Sequence, residues 1–222
     1  MALTWTRLRI RFGVLETMLS LPRSVRLLVF FAFCLAAAIC QAQTGTGQET
    51  QPTEHLKSEL SEIHQSIHGT VYDNDTFHFV LSVPVSWSVV HITKDLNLNG
   101  FVGGLAAPSG IEAIMVQRYY VRSAQIAAQF IDAGLKRNLA DYRKIGEGPM
   151  EIDKRDAYSL TFQTAASPNP QGRALPAARL LIVLVPDRET VLGFTCEAPE
   201  AEFDRFMPIF EKIVTSFRSK TE

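Results

Sequence analysis

Two histidines, His64 and His68, stand four residues apart. On a helix that spacing points two imidazoles at one metal ion, but a zinc centre takes three or four protein ligands. No second acid or histidine stands at a metalloprotease interval, so solvated histidines are the expected reading. Cys34 and Cys40 lie near the N-terminus and Cys196 near the other end. Cys196 shares a strand face with Leu192 and Phe194, which predicts a buried, inert thiol, because a reactive one needs an open, electropositive setting. Gly100, Gly103 and Gly104 cluster without the Lys-Ser/Thr of a phosphate loop or the spacing of a dinucleotide fingerprint. They read as a bulge or tight turn. No G-x-S-x-G elbow is present. Asn74-Asp75-Thr76 fits a glycosylation acceptor and an ordinary turn, and the turn is the expected reading. Trp87 and the Tyr119-Tyr120 pair could line a pocket, though adjacent tyrosines on a strand face opposite ways.

These residues belong to a chain of 222 residues that is 46% hydrophobic and 20% charged, with a net charge of −1. That excludes disordered, collagenous and disulfide-dense classes and allows one or two domains. The near-neutrality averages two unlike parts. Residues 1–42 carry five arginines against the single acid Glu16, which leaves residues 43–222 with a net charge of −5. A mildly acidic body argues against nucleic acid as a partner, since phosphate neutralisation needs surplus Lys and Arg.

Arg23 and Arg26 precede the uncharged run Leu27–Ala38, and small residues follow up to Ala42. A basic flank, a short apolar stretch and a small-residue cut form a secretory signal, with cleavage expected after Ala42. The run is short for a permanent membrane span, so no stable insertion is expected after signal removal. Ile39 and Phe33 precede the two cysteines of this segment, where lipidated proteins use a small residue, which favours secretion or periplasmic release. Met18 is a second candidate start. Only Cys196 then remains, and a lone thiol closes no disulfide within the chain.

Residues 43–53 read as a polar tether, and one α+β domain is expected over residues 54–222. Leu56, Leu60, Ile63 and Ile67 predict an amphipathic helix ending near Gly69. Tyr72–Asp75 reads as a turn and Phe77–Val83 as a strand stopped by Pro84. Strands are expected at Phe101–Ala106 and Ile111–Val121, with Pro108–Gly110 between them. Ser123 is the expected N-cap of a helix running to about Leu139, with Ala127, Phe130, Ile131, Gly134 and Leu135 on its apolar face. Four more strands are expected at Lys144–Ile152, Ala157–Ala165, Leu180–Val185 and Thr190–Cys196. The last helix carries Phe203, Phe206, Phe210, Ile213 and Phe217 as a buried stripe, with Pro208 expected to bend or break it. This order predicts an αβα sandwich, one largely antiparallel sheet covered by helices.

The segment Tyr72–Trp87 and the closing Phe194–Ala198 with Phe203, Phe210, Ile213, Val214, Ser216 and Phe217 resemble PsbP-like domains over about residues 70–218. Ser86 stands where that family usually has Gly before the Trp. The resemblance covers core patterns, shared with Ran-binding import factors of the same fold. It implies a non-enzymatic accessory or binding domain with no cofactor. The expected partner is an extracytoplasmic protein or a small ligand. An extracytoplasmic hydrolase whose polar residues converge only in the fold is the alternative. The loop Ala166–Ala177, with three Pro and one Gly, is longer than a strand connection needs, and Asn169, Gln171 and Arg173 are its candidate binding residues.

Overall fold

The computed structural model describes residues 62–139, 141–168 and 174–220. It begins with the strands β1 (Gln65–His68), β2 (Val71–Asn74), β3 (Phe79–Ser82) and β4 (Ser88–Val89). The short helix α1 (Lys94–Leu98), β5 (Phe101–Ala106), β6 (Ala113–Tyr119) and the helix α2 (Ala124–Asn138) follow. The long strands β7 (Arg143–Ile152) and β8 (Arg155–Thr164) lead to the two-residue pair β9 (Ser167–Pro168) and β10 (Ala174–Leu175). The chain then runs through β11 (Ala178–Asp187), β12 (Thr190–Pro199), the helix α3 (Glu200–Thr215) and β13 (Arg218–Ser219).

The α+β class read from the sequence holds, but the strands form two main sheets. A seven-stranded antiparallel sheet has the order β4-β5-β6-β12-β11-β8-β7, and a four-stranded sheet the order β1-β2-β3-β13. The small sheet escapes sequence reading because its first two strands were expected as helix and turn. Ile67 pairs with Tyr72 across β1 and β2. Gly69, with φ of 64°, supplies the left-handed backbone their tight turn needs. A four-residue strand is too short to show a period of two, and Ile63 and Ile67 fit a helical period by accident. Ile63 instead packs beside α1; Leu56 and Leu60 lie outside the described residues.

Elsewhere the expected elements stand, with ends moved by a few residues. The Ser123 hydroxyl accepts the Ile126 N–H and caps α2. Asp153 and Lys154 both take positive φ, as a two-residue hairpin turn requires. Pro208 does not break α3. It lies on the exposed side, as does Asp204, so the carbonyl its ring leaves unbonded faces water. Phe130 is a second correction: it is 53% exposed rather than part of the buried face of α2.

One core lies on one face of the large sheet and two smaller clusters lie on the other. Leu192, Phe194 and Cys196 of β12 point into the core that holds α3, Trp87 and the small sheet. Leu160, Phe162, Leu180, Ile182 and Leu184 point the other way, under Ala127, Ala128, Ile131 and Leu135 of α2. The small sheet is also locked by hydrogen bonds. Asn74 Nδ2 donates to the Val102 carbonyl at 2.7 Å, Tyr72 Oη donates to Gln65 Oε1 at 2.8 Å, and Gln65 Nε2 donates to the Val90 carbonyl at 2.7 Å. A Cβ on Gly103 would collide with the Tyr72 hydroxyl, so the bulge in β5 between Phe101 and Gly103 admits only glycine beside that group.

Tyr72→Phe removes one hydrogen bond from each of Gln65 and Asn74, which keep their bonds to Gly104 and Val102, and should cost about 0.5–1.5 kcal/mol. A lowered urea midpoint with unchanged m-value is the expected result; an unchanged midpoint would show that the lock contributes nothing.

Candidate functional site

The residues singled out in the sequence do not converge. His64 and His68 are both exposed, and His68 lies on a strand. Four residues of extended chain separate groups by about 13 Å, so the helical metal-ligand spacing no longer applies. His68 Nε2 lies 3.2 Å from the Ser66 hydroxyl, an exposed contact at the edge of the small sheet. Among the described residues no group of three or more His, Cys, Asp or Glu side chains could hold a metal. Cys196 is fully buried, and burial pushes its thiol well above the usual range. Trp87 is a core residue, edge-on to Phe210 at 6.3 Å. Tyr119 is buried and Tyr120 exposed, on opposite faces as their adjacency requires. Asn74 is completely buried, and its Oδ1 accepts the Phe77 N–H at 2.9 Å. That amide holds a turn inside the fold. Asn169, Gln171 and Arg173 lie outside the described residues.

A different group stands out. Glu197 is 2% exposed, and among the described residues neither carboxylate oxygen has a hydrogen-bond partner. Burial alone raises its carboxyl to about 8. Glu197 lies in register between Ala113 of β6 and Leu180 of β11. Thr195, next on the same face, lies between Met115 and Ile182. Leu180 and Ile182 belong to the cluster under α2, whereas Ala113 and Met115 belong to a separate cluster with Leu96 of α1 and Phe101. The row Gly193, Thr195 and Glu197 thus runs along the seam between two apolar patches on one face.

Helix α2 flanks this seam. Asp132 accepts from Lys136, Lys144 and Tyr142, so its side of the helix faces β7. Residues two apart on a helix fall on opposite flanks, which turns Phe130 towards the seam. Ile126, four residues earlier, follows it and is 47% exposed. On the α1 side, Leu98 is 59% exposed. Thr195 is half-buried, the point where the row meets solvent. The chemistry available is an acid that is neutral near pH 7, flanked by small and apolar side chains. The strand expected from the residue pattern ends at Cys196; the observed strand continues to Pro199 and places a lone acid between Cys196 and Ala198 in an apolar run. That placement was the missed signal.

No protein-family model matches the chain, and no curated protein matches its sequence. Solved structures do match by fold. Cyanobacterial PsbP from Synechocystis sp. PCC 6803 is 12% identical, with a TM-score of 0.50 over 79% of this chain and 98% of that one. LpqN, described as involved in cell envelope biogenesis of Mycobacterium tuberculosis, is 14% identical, with a TM-score of 0.47 over 79% of this chain and 100% of that one. The Saccharomyces cerevisiae Ran-binding protein Mog1p is 11% identical, with a TM-score of 0.48 over 71% and 96%. The fold is PsbP-like, as the resemblance in Tyr72–Trp87 and the closing strand and helix implied.

Glu197 also sets a pH dependence. Its folded pKa of about 8 lies above the ordinary 4.5, so the folded state holds a proton that the unfolded chain releases between those values. Stability from this group is complete below about pH 4.5 and declines as pH rises towards 8. Glu197→Gln should raise the thermal midpoint at pH 8 and flatten its fall between pH 5 and 8. An unchanged profile would mean that the carboxyl is not buried unpaired.

Proposed function

We propose that this chain is a non-enzymatic binding domain that works outside the cytoplasm, holding a protein partner or small ligand on a PsbP-like scaffold. The observation that carries the binding role is the buried Glu197, whose carboxylate oxygens have no hydrogen-bond partner among the described residues. A polar group that the fold leaves unsatisfied at a cost of kilocalories is characteristic of a site completed by something else. The Arg23–Ala42 segment supports export, with its basic flank, apolar run and small-residue cut. The loop 166–177 supports a second contact region through Asn169, Gln171 and Arg173, because long connections on rigid sheets carry recognition.

Isolation of the protein from its own host tests this reading. Native mass spectrometry should find the chain in the extracytoplasmic fraction, starting at Gln43 and carrying a stoichiometric extra mass. A full-length chain confined to the cytoplasm would contradict export, and a bare mature mass would contradict a tight ligand. Shortening the loop 166–177 should remove a bound protein partner; full retention would remove Asn169, Gln171 and Arg173 from the contact surface.

A further inference from the structure

We propose that residues 54–61 dock as a short amphipathic helix across β6 and β12, between α1 and α2, with Leu56 and Leu60 against Ala113 and Met115. The docking goes beyond the binding role above and does not depend on it. On this face of the large sheet α1 packs on β5, and α2 packs on β8 and β11. The strand order β5-β6-β12-β11 leaves β6 and β12 between the two helices. Ala113 and Met115 of β6 and Glu197 of β12 are nevertheless buried. Side chains in the middle of a sheet face reach that state under a further layer of chain. Helix α1 has five residues and leads into Phe101, which holds it at that end of β5. Ala106 stands at the opposite end, paired with Ala113, which pairs in turn with Glu197. Two alanines side by side let a helix approach the strands closely there.

The chain itself leads to this place. Ile63 packs on the cluster that contains Ala106, Ala113 and Met115. Two residues later, Gln65 Nε2 donates to the Val90 carbonyl, where the chain enters the small sheet. The residues before Ile63 therefore start beside the middle strands of this face. Leu56 and Leu60 stand one helical turn apart, and the other six residues of 54–61 are polar. That narrow apolar stripe suits a helix with one edge on a sheet and the rest in water. Its length fits as well: eight helical residues extend about 12 Å, and the three strand spacings from β5 to β11 span about 14 Å. Only Glu62 separates the segment from the seated Ile63. So short a link gives the segment a high effective concentration at this face, ahead of a free partner or a second copy.

A nitroxide label on Ser58→Cys of the full chain, with Cys34 and Cys40 replaced by Ser, tests the docking by amide NMR. Ser58 falls on the helix side opposite Leu56 and Leu60, and the buried Cys196 stays unlabelled. The amide signals of Ala106, Ala113, Met115 and Thr195 should lose at least half their intensity. Those of Asp153 and Lys154, in the turn beyond the far edge strand β7, should keep theirs. Leu56→Asp combined with Leu60→Asp should restore the lost intensity, with the signals of Phe79, Phe194 and Phe217 unmoved as proof of folding; Leu60→Met should retain the loss. Undiminished signals at the four residues, or an equal loss over the whole chain, would overturn the proposal. So would a loss that persists in the folded Asp pair. Mixing labelled chains with separate isotope-enriched chains identifies the occupant: broadening of the same four amides in that sample would overturn docking within one chain and assign the face to a second copy.

Discussion

The architecture depends on three phenylalanines that touch one another from three parts of the chain. Phe79 comes from the small sheet, Phe194 from the centre of β12 and Phe217 from the end of α3, and their ring centroids lie 5.6–6.2 Å apart. All three are fully buried. Rings at these separations add tilted and edge-on attraction to the large apolar area each removes from water. The contact seats the small sheet on the large one and fixes where α3 must stop. Immediately after Phe217, β13 pairs with β3 through Arg218–Val80 and Ser219–Phe79. Residues far apart in sequence are thus closed into one unit, and Lys220 completes the closure with ion pairs to Asp73 and Asp75.

A strand so constrained on one face leaves its other face free to differ. Phe194 and Cys196 are committed to the aromatic core, which fixes the register of β12 and with it the outward row of Gly193, Thr195 and Glu197. Gly193 itself is demanded by packing, because the Tyr119 ring occupies the space a Cβ would need. The acid two positions beyond Thr195 has no such structural use. Its carboxyl is desolvated without compensation, whereas several other polar groups inside the fold are hydrogen-bonded on both sides. Asn74 and Gln65 tie the sheets together, and Gln117 accepts from Tyr119 and donates to the Asn99 carbonyl. The contrast between these satisfied groups and Glu197 is what the binding proposal rests on.

Much of the fold was legible because long elements carry strong periods. The strand at Phe101–Ala106, the Ser123 cap, the continuously apolar β11 and the phenylalanine stripe of α3 all follow from local pattern. What failed was short or depended on tertiary pairing. β1 and β2 have four residues each and gain their strand character from pairing with each other and with β3. Phe130 looked like a core residue because its type outweighed its position: one residue before Ile131, it falls off the flank that meets the sheet. The seam was invisible for a related reason. It is a product of which clusters stand on either side of β12, and that information resides in the strand order β6-β12-β11 rather than in any local motif.

The central claim is that Glu197 is enclosed, unpaired and neutral at physiological pH. A carbon-13 NMR titration of the glutamate side-chain carboxyls, with Glu197 assigned by its loss in the Gln variant, tests it most directly. The account predicts a protonated carboxyl resonance that persists through pH 7 and titrates near 8. A Glu197 carboxyl already ionised at pH 5 would contradict it, since a hidden partner or open solvent would then be satisfying the group.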